Sequence, residues 1–450
     1  MIERDIINEL KAWKSDEFRK PLVLRGARQT GKTTVVDMFG RQFKQYIYLN
    51  LEDEDSKNLF LKYKNIDQLV EAIFFEAGKL RKVDDTLIFI DEIQEVPQAL
   101  AMLRYFYEKY PQYCVIAAGS LLESLFDTKI SFPVGRVEYR VARPLSFREF
   151  LRAMDEDAAL GYYESVPLEP IAHDKLMKLF HIYTLIGGMP EVVSRYAKQR
   201  DIVALSPVYD SLIGTYLDDV EKYAANDNST RIIRHAISTV FQSAGERIKF
   251  AGFGNSSYSS REVSEALRII EKAMLIHLVY PTTQTELPFL PDLKKSPRLQ
   301  VLDTGLVNYM AHLQKDVFSS TDLNNVYKGR IAEHIVGQEL LASQTSILSK
   351  PLFWVSEKKD SSSELDFLAM FDGEMIPIEV KSGPTGHLKS LHNFMDTFKG
   401  GTAIRLYAGE LRSDIVRTTK GREYRLLSMP YFLAGKVGDY VRLADKDFLK

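Results

Sequence analysis

The sequence predicts an α/β chain built of consecutive modules, and three segments carry that prediction. Residues 21–43 read as a short apolar strand, a glycine-bracketed loop and a helix. Residues 86–92, Thr-Leu-Ile-Phe-Ile-Asp-Glu, are an apolar run that ends in two carboxylates, as expected of a parallel strand buried on both faces. Residues 364–381 lie on either side of an Asp372-Gly373 pair, the strongest short signal for a two-residue hairpin turn.

The first loop, Gly26-Ala-Arg-Gln29-Thr30-Gly31-Lys32-Thr33-Thr34, has the spacing G-x-x-x-x-G-K-[ST] between a strand and a helix, the context that makes it a phosphate loop. Gly26 and Gly31 let the backbone curl so that successive N–H groups, those of Gln29, Thr30 and Thr34 among them, point at a β-phosphate. The helix that follows adds its positive end. Lys32 is placed to reach the β- and γ-phosphates, and the Thr33 hydroxyl to hold Mg²⁺. The second segment places Asp91 and Glu92 at the C-terminal edge of its strand, where ligands bind in open α/β sheets. Asp91 is expected to hold the Mg²⁺ shell through water and Glu92 to polarise an attacking water, which implies hydrolysis as well as binding. Each segment alone also reads as an ordinary turn or helix start, but together they predict ATP and Mg²⁺ as ligands. A third strand, Tyr113–Gly119, ends in Ser120, which reads as the N-cap of a helix beginning at Leu121.

Composition sets bounds on the rest. The 450 residues suffice for two to four domains with real cores. With 59 basic and 61 acidic residues the formal charge is −2, so any nucleic-acid contact has to come from local patches. One cysteine, Cys114, excludes an internal disulfide framework and fits a reducing cytoplasm; within an apolar strand it reads as core. The N-terminal residues lack the basic and apolar regions of a signal peptide, and no apolar run approaches membrane-spanning length, so no membrane is expected as a partner.

Residues 134–150 place Gly135-Arg136 before a strand containing Arg140 and Arg143, then Pro144-Leu-Ser-Phe-Arg-Glu-Phe150 as a helix start. Together with Gly187-Gly-Met-Pro190, this stretch resembles a prokaryotic family of AAA-type ATPases. That resemblance implies a helical lid over the nucleotide and an arginine reaching the γ-phosphate, with Arg136 the first candidate and Arg140 and Arg143 in reserve. It also implies that Ser120 senses the γ-phosphate. From the residues alone, the arginines read equally well as solvated strand and turn positions.

Further on, Thr230–Val240 and Ser259–Ile270 repeat apolar residues at helical spacing, and Met274–Tyr280 reads as a strand. A proline-marked stretch with Lys294, Lys295 and Arg298 precedes a partner strand, Leu299–Leu302. Helix, helix, strand, basic wing, strand is the order of a winged helix. Such a module predicts DNA as a partner through Arg261, Arg268 and the wing, or equally a lid or protein-docking role. His277 reads as a packed strand residue.

In the C-terminal hairpin a two-residue turn pairs Phe371 with Glu374. Counting outward sets Asp366 opposite Glu379 and Glu364 opposite Lys381, all on one face, with Leu365, Phe367, Ala369, Ile378 and Val380 on the other. Like charges directly opposed destabilise a hairpin, so this register predicts a divalent cation between Asp366 and Glu379. The segment resembles the PD-(D/E)xK restriction-endonuclease-like superfamily, which implies Mg²⁺ on Glu333, Asp366 and Glu379, with Lys381 orienting water or steadying charge on phosphorus.

The boundaries predicted are an AAA-type domain over 1–150, a lid over 151–204, a winged helix over 205–321 and a restriction-endonuclease-like domain over 322–450. Two functions follow. The chain is an ATP-driven DNA-processing enzyme with a metal-dependent nuclease module, or a nucleotide-switched regulator whose later modules bind a protein partner and cleave nothing. The intact Asp366, Glu379 and Lys381 favour the first; near-neutral charge favours the second.

Overall fold

The computed structural model of the chain describes residues 2–119, 135–219, 224, 226–313, 329–344, 346, 350–357, 363–381 and 388–444. Ser120 lies outside them, so the expectation for that residue has no structural counterpart here.

The N-terminal module is a parallel sheet of β1 (Leu22–Arg25), β2 (Gln45–Asn50), β3 (Thr86–Asp91), β4 (Cys114–Gly119) and β5 (Glu138–Val141), in the order β2-β3-β4-β1-β5. The chain jumps from β1 to the far edge at β2 and works back, which leaves the C-terminal ends of β1 and β3 on either side of β4. Alternation along β1 and β3 sends Leu22, Leu24, Leu87 and Phe89 into one apolar layer and Val23, Ile88 and Ile90 into the other. Both faces are therefore covered by helices, which is why these strands are continuously apolar. Cys114 is buried within β4, as expected of a core residue.

The helices Phe147–Ala153, His173–Ile186 and Pro190–Gln199 follow β5. The first starts at a capping box, in which the Ser146 side chain accepts the Glu149 N–H and Glu149 accepts the Ser146 N–H. The middle segment contains helices Asp227–Val240 and Ser260–Lys272, then β6 (Ile276–Val279), β7 (Pro281–Thr282) and β8 (Arg298–Val301). β6 and β8 pair antiparallel from Ile276–Val301 to Val279–Arg298, as the two predicted strands should.

The remaining strands are β9 (Leu352–Val355), β10 (Glu364–Phe371), β11 (Glu374–Val380), β12 (Thr402–Tyr407), β13 (Arg412–Arg417) and β14 (Glu423–Pro430). With β7 they form a seven-stranded sheet ordered β13-β14-β12-β11-β10-β9-β7. β7 precedes residue 322 but pairs with β9, so this sheet takes a strand from the middle segment.

The predicted hairpin is present: Phe371 pairs with Glu374 and the register runs to Phe367–Ile378. There the ladder stops, because the Val380 N–H donates to the Asp366 side chain at 2.8 Å. Between Leu365 and Leu368 the pairing with β9 is bulged. The bulge turns Leu365 onto the face of Leu368 and Trp354, whereas Phe367 and Ala369 stay on the opposite face with Ile378 and Val380. The expected grouping of Leu365 with Phe367 is thereby corrected, and neither Asp366–Glu379 nor Glu364–Lys381 forms a ladder pair.

One apolar cluster runs from the helices Phe147–Ala153 and His173–Ile186 to the C-terminal sheet, including Phe147, Tyr183, Ile186, Leu306, Ile335, Ile378 and Phe432. The Phe147 ring centroid lies 5.1 Å from that of Phe180 and 6.4 Å from that of Phe432, so it joins the helix His173–Ile186 to the C-terminal residues. Among the described residues no helix is long and apolar enough to cross a membrane.

Candidate nucleotide site and a buried acid centre

β1 ends at Arg25, and the phosphate loop turns on residues with positive φ: Gly26 (155°), Gln29 (67°) and Gly31 (84°). A Cβ on Gly26 would lie 2.3 Å from the Ala142 carbonyl oxygen, so only glycine fits there. The Thr33 hydroxyl donates to Asp91 Oδ2 at 2.7 Å, which joins the loop to the end of β3. Lys32 is buried, and its ammonium donates to the carbonyls of Gly26 and Ala27, both at 3.0 Å. Burial pushes its pKa down to about 8, against the pull of Glu92 and Asp91. A phosphate placed on this loop would restore the counter-charge that Lys32 lacks. Burial raises the Asp91 carboxyl, with the Thr33 hydrogen bond acting in the other direction.

A cavity of about 490 Å³ opens over the loop, lined by Gln29, Gly31, Lys32, Thr33, Thr34 and Glu92. Glu92 holds left-handed backbone (φ 49°), and its carboxylate accepts from the Gln94 amide. Thr30 is buried, and its hydroxyl donates to the Ala27 carbonyl, so that side chain braces the loop. Thr33 and Asp91 are oxygen donors brought together at the phosphate end of the cavity, a set that suits Mg²⁺.

The far wall is Pro190, Glu191 and Ser194, from the start of the helix Pro190–Gln199. Its seat is specific. The Gly188 N–H donates to Asp303 at 2.6 Å, and the Gly188 carbonyl accepts the Leu145 N–H at 2.7 Å. Gly187 has φ 75°, and a Cβ there would overlap the Asp303 carboxylate. The expected glycine-proline element thus stands at the nucleotide cavity.

The three candidate arginines lie outside the cavity of their own chain. Arg136 pairs with Glu108 at 3.2 Å on the helix Pro97–Lys109 and does not line the cavity. Arg140 pairs with Glu9 and Glu138. Arg143 is buried beside His277, whose ring it contacts at 3.3 Å. The arginines at the cavity are Arg4 and Arg28. Arg4 is tied to Glu149 and to the Thr30 carbonyl, each at 2.9 Å, and Arg28 to Asp219. Arg28 occupies an open position of the loop motif, and Arg4 stands before the first helix, so no spacing rule singles out either one.

The C-terminal acids do meet, but around protein cations. Arg298 of β8, 8% exposed, contacts Glu333 at 3.5 Å and Asp366 at 3.8 Å, pairs with Glu364, and donates to the Asp366 carbonyl at 3.1 Å. Lys381 contacts Glu379 at 2.5 Å. Burial first, and Asp366's charge second, push both Glu333 and Glu379 up to about 8. Burial opposes the charge on Lys381, yet Glu379 and its neighbours raise its pKa. Glu379 Oε2 is buried and has no hydrogen-bond partner. Even so, no group of three or more acidic, His or Cys residues among the described residues is arranged to hold a metal. Asp366 and Glu379 therefore are not left in bare repulsion, since the opposite charge comes from Arg298 and Lys381. As arranged, the centre holds the Arg298 guanidinium among Glu333, Glu364 and Asp366.

Residues 18–151 match the family model of an AAA domain. Residues 177–317 match a domain of unknown function, DUF8612, and residues 328–426 another, DUF4143. No curated protein matches the chain. Similar solved structures include a Walker-type ATPase of Pyrococcus abyssi, at 16% identity over 69% of this chain and 96% of that one, with a TM-score of 0.44. The ORC1 protein of Aeropyrum pernix in complex with DNA is 12% identical over 69% and 93%, with a TM-score of 0.28. A signal transduction ATPase with numerous domains from Pyrococcus horikoshii, which carries a tetratricopeptide repeat sensor, is 13% identical over 74% and 46%, with a TM-score of 0.28. The family match, the phosphate loop and the parallel sheet agree: the N-terminal module is an AAA-type P-loop ATPase domain.

Proposed function

We propose that the chain hydrolyses ATP with Mg²⁺ and uses its nucleotide state to reposition the middle and C-terminal modules, acting as a nucleotide-switched regulator. Lys32 neutralises the terminal phosphates, Thr33 and Asp91 hold the metal, and Glu92 takes up the proton of the attacking water. The metal supplies charge stabilisation when bound.

The observation that carries the switch is a hydrogen-bonded path leading away from the cavity. Pro190 lines the cavity, and two residues earlier the Gly188 N–H rests on Asp303. Asp303 accepts from Gln338 at 3.4 Å, and Gln338 in turn accepts the Thr304 N–H at 2.8 Å. Gln338 lies on the helix Arg330–Ala342, which also carries Glu333 and Glu339. Glu339 accepts the Tyr183 hydroxyl at 2.6 Å and the Phe147 N–H at 3.0 Å. Movement of the lid on ATP binding therefore acts on the helix that supports the acid centre.

The order of helices and strands over 227–301 supports a winged helix, and the β10–β11 hairpin with Glu379-x-Lys381 supports a restriction-endonuclease-like last module. DNA as partner rests on Arg261, Arg268, Lys294 and Lys295; Arg298, engaged with the acids, is not free to contact it. Metal-dependent cleavage is a second reading, favoured by the orphaned Glu379 Oε2, and it requires Arg298 to withdraw. The test is phosphate release from ATP with and without Mg²⁺. Release by the wild type and none by Glu92→Gln supports the ATPase assignment; equal release by both removes Glu92 from its role.

A further inference from the structure

A second cavity, of about 420 Å³, lies between the end of β5, the helix Ser260–Lys272 and β6. It shares no lining residue with the nucleotide cavity. Among the described residues, Arg143, Arg268 and Lys350 line it with the carboxylate of Glu271, and Arg25 and Lys272, which have further partners of their own, complete the wall. Glu271 is already engaged, accepting the Leu278 N–H at 3.1 Å and lying 3.4 Å from the Lys350 ammonium.

Arg143 makes the site unusual. It is 8% exposed, and its side-chain contacts are the Gln344 carbonyl at 3.4 Å and His277 Nε2 at 3.3 Å. No carboxylate of the described residues lies within ion-pair distance of Arg143, in contrast to the other buried arginines, Arg4 on Glu149 and Arg298 on Glu364. Buried guanidinium groups are normally paired, because desolvation without a counter-charge is costly. His277 is no counter-charge, because an imidazole is neutral or cationic, and burial together with the charge of Arg143 keeps it neutral. The chain as a whole carries −2, so this concentration of positive charge is local. Phe250, Tyr280 and Leu293 give the same cavity apolar walls.

We propose that this cleft is a second anion site, separate from the phosphate loop. It takes a small phosphorylated molecule with at least two phosphate charges, the phosphates on Arg143 and Arg268 and any organic part against Tyr280 and Phe250. The volume falls within the range of small-molecule sites, roughly 300–1,000 Å³. Because its walls come from the ATPase sheet and from the middle module, an occupant would join the two.

The test uses the full chain with Lys32→Ala, which removes the phosphate loop as a competing anion site. Pyrophosphate and, separately, ADP are titrated calorimetrically. Saturable pyrophosphate binding is expected, about tenfold weaker when Arg268→Glu is added. Arg231→Glu, on the helix Asp227–Val240 and outside the cleft, should leave the affinity unchanged. Arg268 and Arg231 are exposed, so both variants should fold, and Arg143→Met, provided its melting curve is retained, should also weaken binding. ADP binding more tightly than pyrophosphate identifies a nucleotide-like ester; the reverse order identifies a free oligophosphate. No saturable binding, or equal affinity in Arg268→Glu, overturns the proposal. So does a single-stranded oligonucleotide that displaces pyrophosphate and binds more tightly, which would assign the cleft to nucleic acid.

Discussion

Replacing Arg298 with Met tests the acid centre most severely. Methionine keeps the aliphatic stem and removes the guanidinium, whose carbon lies 4.7 and 6.0 Å from the ring centroids of Phe353 and Phe367, together with its charge and its hydrogen bond to the Asp366 carbonyl. Glu333, Glu364 and Asp366 would then face one another without their shared cation. Removing one partner from a buried ion cluster costs about 3–5 kcal/mol. Protonation offsets part of that, since Glu333 and Glu379 already sit at about 8 against an ordinary 4.5. A carboxyl raised in the folded state contributes stability below its unfolded pKa, and that contribution is lost as pH rises through the folded value. Losing Arg298 raises these carboxyls further, so the deficit relative to wild type grows with pH. Near pH 8 it should be about 3 kcal/mol, a fall in melting temperature of roughly 6–12 °C. Near pH 5, with the two glutamates protonated, the contacts to Glu364 and Asp366 are still lost but the repulsion involving Glu333 is relieved, so the deficit should be smaller than at pH 8. Melting curves of both proteins at the two pH values measure this. In the absence of nucleotide, Mg²⁺ or Mn²⁺ should raise the melting temperature of the variant and leave that of wild type unmoved. An equal deficit at both pH values, or a wild-type metal response matching the variant's, would refute this account of Arg298.

Lys32→Ala should weaken ATP binding about a hundredfold or more, because the buried triphosphate loses its main cation; fluorescent-nucleotide titration reads this. Glu92→Gln should bind ATP normally and turn over roughly 10²–10⁴-fold more slowly in steady-state assays. Asp303→Asn places an amide among N–H donors that now meet a carboxylate; it should cost about 2 kcal/mol in denaturant unfolding and weaken ATP binding, and a change in neither would remove Asp303 as the lid's seat. Arg136, anchored to Glu108 and outside its own chain's cavity, should matter only between subunits. Mixing Arg136→Ala with Lys32→Ala protein should then restore ATPase activity, whereas no recovery at any ratio excludes a shared site.

What the sequence made legible was local. The loop at 26–34, the buried strand ending at Asp91 and the Asp372-Gly373 turn are written in consecutive residues, and each forms as read. What it concealed depends on residues far apart in the chain. Arg298 reads as a basic wing residue, and only the fold brings it to acids 35 to 68 positions away. The bulge at Leu365–Leu368 has no glycine or proline to announce it, and it undid the counted register at the two charged pairs. Asp303, which no sequence motif marks, caps a helix and seats Gly188 from 115 positions away. Arg4 and Arg28 lack a motif for the same reason: their partners, Glu149 and Asp219, are set by packing.

The coupling of the nucleotide cavity to the last module is tested most directly by hydrogen exchange on Glu92→Gln protein, with and without Mg²⁺-ATP. Exchange should change in the lid around Gly188 and also in the helix Arg330–Ala342 and in β8. Changes confined to residues 18–199, with Arg330–Ala342 and β8 exchanging identically in the two states, would contradict the switch.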